Sequence, residues 1–165
     1  MQAGHRFAPL FAFALAFLRA SLAWADLDAD AARVARAFSG AGEVRRLSPR
    51  FAERGSVRPL LLPRDFLDPL REDCVTVVVL GSRSASFVLR FLPGKNGPDW
   101  PDGEHPELAL AGAGQLVRCG IRKSMLERLA VELRSPRGAL EVVVAKGPRP
   151  FVPVTRVLGE RAPGP

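Results

Sequence analysis

Residues 74–92 read CVTVVVLGSRSASFVLRFL, and this stretch decides the fold class. Val75 to Val79 is almost entirely β-branched, a composition that suits a pleated, packed surface better than a helix. The run is apolar on both faces, as a central strand of a sandwich is. Gly81 to Ser84 is turn material. From Ser86 to Leu92 the pattern alternates, with Phe87, Leu89 and Phe91 on one face. Two strands joined by so short a turn are expected to pair as an antiparallel hairpin.

Downstream, residues 93–106 (PGKNGPDWPDGEHP) form a long polar loop. Glu107–Ala111 and Gln115–Cys119 are short strand candidates around Gly112 and Gly114. Arg128–Arg134 then alternates, with Leu129, Val131 and Leu133 facing in. Ser135–Gly138 is a turn, with Pro136 second and Gly138 fourth, and Ala139–Ala145 returns with Leu140, Val142 and Val144 inward. This second hairpin is expected to set Leu133 opposite Leu140, Val131 opposite Val142 and Leu129 opposite Val144. A slip of one residue would bury Glu141 against Leu133. The favoured register puts Glu132 opposite Glu141 on the outer face, which costs roughly a few tenths of a kcal/mol. Residues 147–165 are rich in proline and cannot form a central strand. Phe151–Leu158 is left to lie along the domain edge, and the extreme end is expected to be disordered.

Upstream, Val57–Leu62 reads as an edge strand because of Pro59, followed by an Asp- and Pro-containing connection over 63–73. Residues 43–58 carry Arg46, Arg50, Arg54 and Arg58 at intervals of four. Pro49 and Gly55 argue against a basic helix there, so a solvated loop is expected. Residues 27–38 have the spacing of a helix, with Leu27, Ala31, Val34, Ala35 and Phe38 on one stripe. Asp26 suits the cap, and Gly40 and Gly42 the stop. The predicted fold is mainly β: a small antiparallel β-sandwich, jelly-roll-like, with a short N-terminal helix and a Pro-rich C-terminal tail. The segments are a leader at 1–25, a helical or irregular arm at 26–56, the sandwich at 57–146 and the tail at 147–165.

The runs DCVTVVVLG (73–81), SFVLRF (86–91), AGQLVRCG (113–120) and SPRGALEVVV (135–144) resemble exported proteins of unassigned role in high-GC bacteria. They are also loosely similar to pre-peptidase C-terminal β-sandwich domains, which accompany secreted enzymes. The resemblance spans residues 57–146 and carries no functional residue. It implies a structural role for the cysteines.

The first 25 residues read as a secretory leader. His5 and Arg6 precede the apolar run FAPLFAFALAFL (7–18), and Ala23-Trp24-Ala25 supplies a small-x-small cleavage pattern. The run is shorter than the roughly 20 residues a spanning helix needs. No cysteine follows it directly, so an acylation site is lacking. Cleavage after Ala25 predicts a periplasmic or secreted protein without stable membrane insertion. Such a compartment is oxidising, so the two cysteines, Cys74 and Cys119, are expected to bond across the sandwich.

The formal net charge of the whole sequence is +7; removing Arg6 and Arg19 with the leader leaves +5. That balance admits anionic partners such as phospholipid or lipopolysaccharide head groups, beside the plainer reading of a solvated basic surface. Nucleic acid is not expected outside the cytoplasm. His105 is the one histidine after the leader, which excludes multi-histidine metal sites. Gly81-Ser-Arg-Ser-Ala85 lacks the second glycine of a hydrolase nucleophile elbow. Asp99, Asp102, Glu104 and Glu107 match no calcium-loop spacing. No catalytic residue, metal or cofactor is therefore assigned. Trp100 and His105 are the candidate binding-loop residues. The expected function is a non-catalytic binding or interaction module of the envelope, with a small hydrolase using His105 and the acidic loop 99–107 as the alternative.

Overall fold

The computed structural model describes residues 26–62, 64–66, 73–82, 85–93, 108–121 and 123–159. The leader, the loop residues Trp100 and His105, and the acidic cluster lie outside them. Helix α1 covers 26–39. Eight strands follow: β1 (Glu43–Glu53), β2 (Val57–Pro59), β3 (Cys74–Gly81), β4 (Ser86–Phe91), β5 (Leu108–Ala111), β6 (Ala113–Cys119), β7 (Leu129–Leu133) and β8 (Arg137–Gly147). A single turn, α2 (Lys123–Leu126), precedes β7, and α3 (Val154–Leu158) follows β8.

The strands form two four-stranded antiparallel sheets, ordered β1-β8-β3-β6 and β2-β7-β4-β5. These orders have a simple origin. The pairs β1 with β8, β2 with β7, β3 with β6 and β4 with β5 are the rungs of one long hairpin. Rolling that hairpin sends alternate pairs to alternate sheets, which is the jelly-roll arrangement. Between the sheets lies the main core. Val75, Val77 and Val79 of β3 and Leu140, Val142 and Val144 of β8 face Phe87, Leu89, Val131 and Leu133 of the other sheet.

The second core explains why β3 is apolar on both faces. Val78 and Leu80 of β3, with Ala139, Val143 and Ala145 of β8, point away from the sandwich. They are covered by Leu27, Ala31, Val34 and Phe38 of α1 and by Phe151 and Val154. The molecule therefore has three layers, and the helical stripe read at 27–38 is its buried face. Phe151 also stacks at 4.9 Å from Phe38. Its ring fills a notch that only glycine leaves open: a Cβ on Gly42 would lie 2.2 Å from the Lys146 carbonyl oxygen and 2.9 Å from the Phe151 ring.

Several expectations need correction. The two hairpins are arches between sheets. β3 pairs with β6 and β8, while β4 pairs with β5 and β7. Likewise Leu133 lies opposite Phe87, and Leu140 lies opposite Gly81 and Arg50, so the 133–140 register does not form. Period-two alternation fixes which face is buried; it is the same for a hairpin and for an arch. Glu132 and Glu141 thus sit on different sheets, free of the repulsion their pairing would bring.

Residues 43–53 are a strand, and the sandwich begins there instead of at 57. Pro49 is tolerated because β1 is an edge strand whose register shifts between Leu47 and Arg50. The disulfide does form, but within one sheet. Cys74 and Cys119 are directly opposite on β3 and β6, with Cα atoms 3.8 Å apart, and do not cross the sandwich.

Candidate functional site

Antiparallel order gathers the connections at two ends. One end holds Cys74, Cys119 and the flanks of the 94–107 segment, Phe91 and Leu108. The other holds the short connections 54–56, Gly112 and 134–136, together with Ser82 and Ala85. There these segments are hydrogen-bonded into one platform. The Arg54 amide donates to the Pro136 carbonyl at 3.0 Å, and the Gly55 amide to Leu133 at 2.9 Å. The Arg134 amide donates to Ser86 at 2.8 Å, the Gly81 amide to Gly112 at 2.6 Å, and the Gly112 amide to Ala85 at 2.9 Å. Gly55 and Gly112 take positive φ values, 75° and 68°, which these tight corners require.

The platform is basic. Arg54 and Arg134 are exposed on it, with Arg137 and Glu53 exposed at its margin. Arg54 Nε donates to the Arg134 carbonyl at 3.1 Å, which holds the two arginine residues side by side. Ser135, between Arg134 and Pro136, has a hydroxyl shielded from solvent and without a hydrogen-bond partner. Phe51, opposite Ala139 near the same end, is 67% exposed.

The two buried acids are each paired with arginine, and one of them reaches the platform. Glu132 receives Arg90 at 3.0 Å and Arg134 at 3.1 Å. Glu141, 2% exposed beneath α1, receives Arg46 Nε at 3.0 Å, and the same guanidinium reaches Asp28 of α1. Hydrogen bonds to Asp28 and then to Glu141 hold the Arg46 guanidinium above its ordinary value, so it stays charged. This pair ties α1 to the sheet. Thr76 is buried on the same face with an unpartnered hydroxyl. Among the described residues, no three His, Cys, Asp or Glu side chains gather as metal ligands would.

Sequence reasoning singled out Trp100 and His105 and passed over the arginine platform. Its components were visible separately, as a turn at 135–138 and an arginine at 54. Their meeting depends on which connections share an end, and only the strand order gives that.

No protein-family model matches the sequence, and neither does any curated protein. Among solved structures the chain is similar to RmlC from Streptococcus suis, with a TM-score of 0.36 and 12% identity over 67% of this chain and 47% of that one. It thus spans about half the length of RmlC. It is also similar to disulfide-linked pili of Bacillus endospore appendages (TM-score 0.32, 8% identity, 64% and 88% covered). A third similarity is to the Tobacco streak virus coat protein (TM-score 0.29, 14% identity, 67% and 87% covered). The likeness concerns the β architecture alone, and the resemblance to pre-peptidase domains rests on the sequence runs quoted above. The chain is a mainly β, jelly-roll-like sandwich.

Proposed function

We propose that the protein is an exported, non-catalytic binding module of the cell envelope whose partner is anionic. The observation that carries this reading is the turn platform. Short, mutually hydrogen-bonded connections present exposed arginines there, Arg134 among them also pairing with the buried Glu132. Rigid scaffolds that display polar side chains on connecting segments suit recognition. The leader-like sequence and the disulfide support an oxidising destination.

The test is export followed by capture. Expressed with its leader in a bacterial host, the protein should leave the cytoplasm and show Asp26 as its N-terminus by mass spectrometry. Its non-reduced mass should lack the thiol hydrogens. Immobilised, it should retain an anionic component of an envelope extract and release it in high salt. Retention of Met1 in the membrane fraction would contradict the reading. So would a hydrolase activity that His105→Ala abolishes with the fold intact.

A further inference from the structure

We propose that the Arg54–Arg134 platform is a site for phosphate groups of anionic lipids, through which the protein docks on a membrane surface. The proposal rests on the binding role above and names its ligand. Backbone hydrogen bonds place Arg54 and Arg134 next to each other, with Arg54 Nε on the Arg134 carbonyl at 3.1 Å. Arg54 Nε rests on the Arg134 backbone while the Arg134 guanidinium pairs with Glu132 at 3.1 Å, and both cations attract an anion to this end of the sandwich. The planar fork of arginine matches phosphate oxygens, and Arg54 spends one of its N–H donors on the carbonyl. Glu132 offsets part of the Arg134 charge, and Glu53 stands opposite Arg137 in the β1–β8 register. Arg54 therefore leaves the platform positive.

The exposed Phe51 favours a lipid source for the phosphate. Basic side chains and an exposed aromatic residue toward the same end of a sandwich fit the boundary between head groups and acyl chains. A soluble phosphate gives such a ring no phase to enter. Phe51 and Glu53 lie opposite Ala139 and Arg137, so Phe51 is two residues along β1 from the platform end, on the sheet face that α1 partly covers.

The experiment is sedimentation of the purified exported protein with phosphatidylcholine vesicles, with and without phosphatidylglycerol. Binding is expected only with phosphatidylglycerol. Loss of an arginine near an anionic surface weakens binding by about fivefold, so Arg54→Ala with Arg134→Ala should weaken it by about thirtyfold. Arg33→Ala with Arg36→Ala, of equal charge on the exposed side of α1, should weaken it by less than about twofold if the site is specific. Arg134 also pairs with Glu132, so Arg54→Ala alone, at about fivefold, keeps the test readable if the double variant misfolds. Phe51→Ala should also reduce binding. Equal loss in both double variants overturns the site, as does binding to neutral vesicles or displacement by equimolar glycerol phosphate. Failure on vesicles with retention of another envelope anion overturns the lipid site and leaves the binding role standing.

Discussion

Arg46 reaches from edge strand β1 to acids on two other elements, Asp28 of α1 and Glu141 of β8. Glu141 is buried, so its charge is tolerable only while the guanidinium is present. Arg46→Met should cost about 2 kcal/mol in denaturant unfolding, less than a fully buried pair because Arg46 is partly exposed. Adding Glu141→Leu should recover most of that loss. If Arg46→Met unfolds at the wild-type midpoint, the pair does not hold α1 to the sheet. None of this is visible in sequence, where Arg46 is one of a run of evenly spaced arginines and Glu141 an outward residue of an alternating strand.

At the scale of elements, the C-terminal segment packs through Phe151 and Val154 and is hydrogen-bonded by one side chain. Gln115 of β6 accepts the Val154 amide at 2.6 Å and donates to the carbonyls of Phe151 and Val152 at 3.4 Å. The glutamine thereby satisfies the first turn of α3 and seats Phe151 on the second core. Gln115→Ala should lower stability by about 1 kcal/mol and speed amide exchange at Val154 first. Unchanged exchange at Val154 would show that Phe151 packing alone holds the segment.

The strands themselves were largely legible. The β-branched run in β3, the alternation in β7 and β8, and Pro59 in a short edge strand all read directly from residue type. Strand partners were not, because alternation reports a buried face and not a neighbour. β1 was missed because Pro49 and the arginines look like loop. Edge position and a register shift make both acceptable in a strand. Of the candidate site, Cys74 and Cys119 were legible as a pair, though not as neighbours within one sheet. The platform was legible only as separate turns.

At the scale of the whole molecule, the fold is a long hairpin rolled into two sheets, and the disulfide joins one of its inner rungs. By linking the start of β3 to the end of β6 it encloses β4 and β5 as well. The chain-entropy model gives such a loop roughly 4 kcal/mol. The cross-link sits at one end of the sandwich and the arginine platform at the other. The binding proposed here is electrostatic in origin, so it must weaken as salt is added while the fold persists. The most direct measurement is retention of the purified, disulfide-closed protein on phosphatidylglycerol-containing vesicles across a salt series, with circular dichroism followed in parallel. The account predicts progressive release at constant secondary structure and no retention on neutral vesicles at any salt. Retention that is indifferent to salt, or equal on neutral vesicles, would contradict it.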